Sequence, residues 1–127
     1  MKKLLSLLLI LLCLAPAALA NEADGFKYNY YYSDSDGCVI AIIQGLTTDE
    51  QLTELVIPAQ LDGYPVKIIG SSAFIGQKKL KSITLPEGLE MIYHFTNAPI
   101  TTIHLPNSLR EIKTAAFISC DASVKQK

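Results

Sequence analysis

The stretch that decides the fold is Leu80–Ile92, LKSITLPEGLEMI, because Ile100–Ile112 nearly repeats it as ITTIHLPNSLREI. Working back from these two, a looser copy begins at Leu52, with Leu55, Ile57 and Pro58 in the same places. The shared template is apolar-x-x-apolar-x-apolar-Pro, and each copy has a further leucine three places past its proline: Leu61, Leu89 and Leu109. Beyond those, Ile69, Ile92 and Ile112 correspond, and Ala73-Phe74 matches Ala116-Phe117. The proline spacings are 28 and 20, and a unit of 23 accounts for both. The first copy then carries five extra residues, "DGYPV", and the second lacks three around Phe95.

The template has a physical meaning. Its second and third apolar residues alternate with polar ones at period two, the pattern of a half-buried strand. Leu55, Ile57, Ile83, Leu85, Ile103 and Leu105 should face inward, and Glu54, Val56, Ser82, Thr84, Thr102 and His104 outward. Proline has no N–H to give to a ladder, so it ends each strand. The chain then turns and lays down a second apolar line before returning. No copy can bury its inner face alone; stacking about three of them makes one continuous core. Each buried Leu or Ile contributes roughly 1.5–3 kcal/mol, so the repetition itself supplies stability.

LxxIxLPxxLxxI followed by Ala-Phe, with "LDGYPVKIIGSSAF" leading into the first complete copy, resembles the BspA-like leucine-rich repeat family over about residues 37–120. The resemblance implies a β-rich repeat solenoid, a parallel leucine-rich-repeat-like stack of about three repeats. It also implies a secreted or surface protein that works by adhesion or protein binding. The family's motif residues are structural, so the resemblance specifies the fold more closely than any ligand.

Ahead of the repeats, "GFKYNYYYSDSDGCVIAIIQG" predicts a β-hairpin. Phe26, Tyr28, Tyr30 and Tyr32 alternate with Lys27, Asn29 and Tyr31, and a polar turn leads to the apolar run Cys38 to Ile43. The hairpin is expected to cap the N-terminal end of the solenoid. The tyrosines also suit a carbohydrate- or protein-contacting patch, and both roles hold together if Tyr28 and Tyr30 face inward while Tyr31 faces water.

The first twenty residues, MKKLLSLLLILLCLAPAALA, pair two lysines with an apolar run and a small-residue end. They read as a secretory signal peptide, with Asn21 starting the mature chain. Cys13 follows Leu12 rather than a small residue, which argues against a lipoprotein. Removing this leader takes away Lys2 and Lys3 and no acid, so eleven basic residues become nine against twelve acidic ones. That balance disfavours a nucleic-acid partner, and no second apolar run is long enough to span a bilayer.

Residues suited to chemistry are scattered. Asp34-Ser35-Asp36-Gly37 opens like a calcium loop but lacks the later ligands and is read as a turn. His94 and His104 have neither helical spacing nor a nearby Cys or acid in a zinc pattern. Lys78, Lys79 and Lys81 make a solvated turn before a strand. No nucleophile elbow, metal-binding helix or phosphate loop occurs. Cys38 lies in the hairpin and Cys120 in the last copy, at opposite ends of the stack. Two free thiols are expected, because a disulfide needs Cα atoms within about 7 Å.

The organisation read from the sequence is a signal peptide over 1–20, an N-terminal β cap over 21–51 and leucine-rich repeats over 52–127. The function expected is non-catalytic contact with a protein of the matrix or envelope, without cofactor or metal. The contact residues would be Glu54, Val56, Ser82, Thr84, Thr102 and His104. The alternatives are a purely structural repeat unit and, more remotely, a small extracellular enzyme. The strand around Thr102 to Leu105 should end its sheet and offer an edge for weak self-association.

Overall fold

Each copy of the template bends at its proline and supplies one strand to each of two sheets, in which the strands of successive copies pair in parallel. The computed structural model describes residues 21–94, 99–113 and 116, so the leader, Phe95, Phe117 and Cys120 lie outside the described residues. In chain order the strands are β1 (Asn21–Ala23), β2 (Phe26–Ser33), β3 (Cys38–Leu46), β4 (Glu54–Val56), β5 (Gln60–Leu61), β6 (Tyr64–Ile69), β7 (Ser82–Thr84), β8 (Met91–Ile92), β9 (Thr102–His104) and β10 (Glu111–Ile112).

The short sheet has the order β4-β7-β9, all parallel, with Leu55, Ile83 and Ile103 in register at its centre. These three are buried, and the residues on either side of each turn outward. The long sheet runs β1-β2-β3-β6-β8-β10. Ile69, Ile92 and Ile112 align in register across β6, β8 and β10, as the repeat predicts. The core lies between the sheets and includes Leu61 and Leu89 past the prolines, with Leu80 and Ile100 on the return path. Leu105 is only half-buried, because the last coil has a neighbour on one side among the described residues.

The turns follow from the template. Leu89 N–H donates to Pro86 O at 3.3 Å and Leu109 N–H to Pro106 O at 3.2 Å, so both prolines open a tight reversal. The extra residues of the first copy fold back on themselves, with β5 and β6 pairing antiparallel around Asp62 and Gly63. These two have φ of 49° and 81°, the two positive angles that a two-residue hairpin turn demands. Asp24-Gly25 does the same between β1 and β2, with φ of 50° and 84°. The sequence reading found neither turn and omitted β1, although an Asp-Gly pair between strands is the usual signal for one.

The predicted hairpin is present as β2 and β3, and it joins the long sheet through parallel pairing of β3 with β6. Phe26, Tyr28, Ala41 and Ile43 from it belong to the core. Gly70 sits where the repeat approaches β3: its N–H donates to Ile43 O at 2.8 Å. A Cβ there would lie 2.8 Å from that same oxygen, so the approach requires glycine.

Side chains join neighbouring coils. Gln77, 5 % exposed, donates to Glu50 O and accepts from Leu52 N–H, both at 2.9 Å. Gln51 answers in the opposite direction, donating to Gly76 O at 3.0 Å and accepting from Lys78 N–H at 2.9 Å. The two amides thus pair the loops as a strand ladder would. Farther along, Lys67, Glu90 and Arg110 line up on successive coils, with Glu90 2.9 Å from Lys67 and 3.9 Å from Arg110.

Candidate functional site

The six outward residues named from the repeat come together on one face. Register places Glu54, Ser82 and Thr102 in one row across the short sheet, and Val56, Thr84 and His104 in a second. Adjacent strands are about 4.8 Å apart and alternate residues about 6.6 Å, so the Cα frame of this patch measures roughly 10 by 7 Å. Glu54, Val56, Thr84 and His104 are exposed, whereas Ser82 and Thr102 are half-buried. Val56 stands out as an apolar side chain 69 % exposed at the side of the first coil.

The chemistry of the patch is mild: one carboxylate, three hydroxyls, an imidazole and an isopropyl group. Glu54 and His104 occupy opposite corners, about 12 Å apart across the Cα frame. The arrangement suits hydrogen bonding and shallow apolar contact with a flat surface. A standard protein interface covers about 800 Å² on each partner, so a contact centred here extends well past these residues.

The tyrosines divide as their alternation suggests, with one departure. Tyr28 is buried and its phenol donates to Asp62 at 2.5 Å, linking the hairpin to the turn of the first repeat. Burial, then the hydrogen bond to the Asp62 carboxylate, pushes the Tyr28 phenol well above its ordinary pKa. Tyr30 stacks on Tyr64, with ring centroids 5.6 Å apart and planes inclined 28°. Tyr31 faces water as expected; Tyr32, on the inward parity, is nevertheless 49 % exposed because it lies near the tip of the hairpin. Tyr93 is also exposed, beneath the Lys113 ammonium at 5.8 Å. The hydrogen bond to Glu111 raises the pKa of that lysine.

The polar loop at Asp34 is closed by its own residues. Ser33 donates to the Asp36 carboxylate at 2.6 Å, and Gly37 N–H to Ser33 O at 2.8 Å. Among the described residues no three His, Cys, Asp or Glu side chains are placed to hold a metal ion. Cys38 is exposed, and its relation to Cys120 falls outside the described residues. An open depression of about 290 Å³ lies where the hairpin meets the first coil, between Lys27, Gln44, Asp49 and Gln77. Gln44 and Gln77 were not singled out in the sequence reading, since an isolated glutamine carries no pattern. Among the described residues no helix is long and apolar enough to cross a membrane.

Comparison with known proteins agrees with this architecture. The crystal structure of a leucine-rich repeat protein from Bacteroides capillosus is similar, with a TM-score of 0.53 at 17 % identity. The match covers 85 % of this chain and 98 % of that one, and at such identity it speaks for the fold alone. A search of curated proteins finds no match. Residues 46–125 match the family model described as a BspA type leucine-rich repeat region, in six copies. The chain belongs to the BspA-type leucine-rich repeat family.

Proposed function

We propose that this repeat protein is exported by its N-terminal leader and works without catalysis, contacting another protein through the outward face of β4, β7 and β9. The observation that carries the reading is the alignment of Glu54, Ser82 and Thr102 beside Val56, Thr84 and His104 on one accessible sheet face. The family suits the reading, since BspA-type repeats are typically found on secreted or surface proteins of bacteria that act by interaction. In it the hairpin serves as an N-terminal cap, and the partner is a protein of the extracellular matrix or the cell envelope. Thr84→Ala with His104→Ala should weaken such a partner at least tenfold in a binding titration while leaving the thermal midpoint unchanged. Binding that survives substitution of every outward residue would leave the chain a structural unit without a ligand on this face. Fractionation of cells and medium tests export: retention in the cytoplasm overturns it.

The outer edge of β9 is a second contact region under the same reading. Thr102 N–H donates inward to Lys81 O at 3.1 Å, which leaves the backbone groups of Ile103 directed outward. Weak self-association through this edge should appear as a rise in scattering mass with concentration, reduced by His104→Lys, which adds charge beside the edge at an exposed position and leaves the buried Ile103 in place. A strict monomer at every concentration removes the edge from the account.

A further inference from the structure

The first strand of the short sheet has an edge with a chemistry of its own. Ser82 N–H donates to Thr53 O at 3.2 Å and Ile57 N–H to Thr84 O at 2.9 Å. Backbone groups of successive strand residues point to opposite sides, and Glu54 lies opposite Ser82 with Val56 opposite Thr84. Residues 53, 55 and 57 therefore face β7, and Glu54 and Val56 direct N–H and C=O away from it. Among the described residues β4 pairs with no other strand, and no backbone bond takes up these four groups. The N-terminal hairpin does not fill the position, because β3 pairs with β6 in the other sheet.

The neighbouring side chains say what kind of strand this edge would take. Glu54 and Val56 stand on the same row of β4, both exposed, and Glu54 has no ion-pair partner among the described residues. Asp49 and Glu50, at most about 17 Å of chain away, belong to the same coil, and Lys27 lines the depression beside Asp49, so the charge that marks this edge is that of Glu54. Lys78, Lys79 and Lys81 belong to the next coil, on the β7 side of β4. A second whole stack would have to continue both sheets at once, and the hairpin already occupies that place in the long one. A single extended segment meets no such demand.

We propose that the β4 edge binds an extended basic segment of another protein by strand addition, with a Lys or Arg beside Glu54 and an apolar residue beside Val56. This site uses backbone groups of an edge and shares Glu54 and Val56 with the proposed face, so Thr84→Ala and His104→Ala test the face without touching the edge. A synthetic peptide, Thr-Lys-Val-Val-Val-Lys-Thr, presents the required row in either chain direction. Its counterpart with both lysines replaced by glutamate is the control.

The test is titration of labelled protein, following the amide signals of Glu54 and Val56. The lysine peptide should move those signals and bind tighter than the glutamate peptide by up to about fivefold, the range of a cross-strand charge pair. Glu54→Lys should reverse the preference. Val56→Pro removes one outward N–H and leaves the β7-facing bonds in place, so it should abolish binding, while Thr84→Ala retains it. Equal affinity for the two peptides, an unmoved edge, or binding that survives Val56→Pro at an unchanged thermal midpoint overturns the proposal. If the proline variant is unfolded, the reversal by Glu54→Lys decides alone. Protection of the edge amides that grows with protein concentration, in the absence of peptide, also overturns it and gives the edge to a second copy.

Discussion

The two sheets share one core and one repeat, yet they end differently at the N-terminal side. The long sheet continues past the first coil through β3, β2 and β1, so its strand from the first repeat has partners on both sides. The short sheet begins at β4 with one partner only among the described residues. The difference arises from loop geometry rather than from the template. Gly70 brings the end of β6 against Ile43 O, and Tyr28 reaches Asp62 across the insertion of the first copy. Both contacts hold the hairpin on the long-sheet side, and among the described residues nothing pairs with the outer edge of β4.

The largest effect should come from the core that the sheets share. Ile83 is fully buried at the centre of the short sheet, and Ile83→Ala should cost about 2–5 kcal/mol in urea unfolding. One cooperative transition is expected, reported alike by probes in either sheet; two separate transitions would make the sheets independent units. Gly70→Ala sharpens the contrast because it acts at the hairpin junction alone. Moving the Ile43 carbonyl away from the new Cβ should cost about 1–3 kcal/mol. Amide exchange should quicken in β3 and stay unchanged in β7.

Tyr28→Phe removes the bond to Asp62 and should cost about 1–2 kcal/mol at neutral pH by chemical denaturation. Its pH signature separates this role from simple packing. The folded phenol holds its proton to higher pH than the unfolded one, whose pKa is about 10. The stabilisation is therefore fully present below pH 10 and declines as pH rises beyond it, by up to about 1.4 kcal/mol for each unit. Subtracting the Tyr28→Phe curve isolates this dependence, and parallel curves would deny the raised pKa. The smallest effect belongs to the charge row on the long sheet. Lys67→Met should change stability by less than about 1 kcal/mol, since the pair with Glu90 is partly solvated.

What could be read from the chain in advance has a physical boundary. The stacked coils are legible because proline, leucine and isoleucine recur with fixed offsets, and the same offsets bring the six outward residues into two rows on one sheet face. The hairpin was legible from its alternating tyrosines. Its choice of sheet was not, because pairing β3 with β6 is a long-range event determined by Gly70 and the insertion around Asp62, neither of which repeats. The amide exchange between Gln51 and Gln77 was hidden for the same reason: it is made by two single residues 26 positions apart, without a period. The Asp-Gly turns at 24–25 and 62–63 were available to a reading that weighed two-residue punctuation as heavily as apolar periodicity. What the face or the edge binds depends on exposed residues that the repeat leaves free to vary.

The asymmetry between the sheets is tested most directly by amide hydrogen exchange, residue by residue, on the folded protein. Ile57 N–H is bonded to Thr84 O and Gly70 N–H to Ile43 O, each across a coil boundary, and both should exchange slowly. Glu54 and Val56, in β4 just before Ile57, should exchange near the rate of an unprotected chain. Slow exchange at Glu54 and Val56, equal to that of Ile57 at every protein concentration, would contradict the account by showing that the first strand of the short sheet is covered.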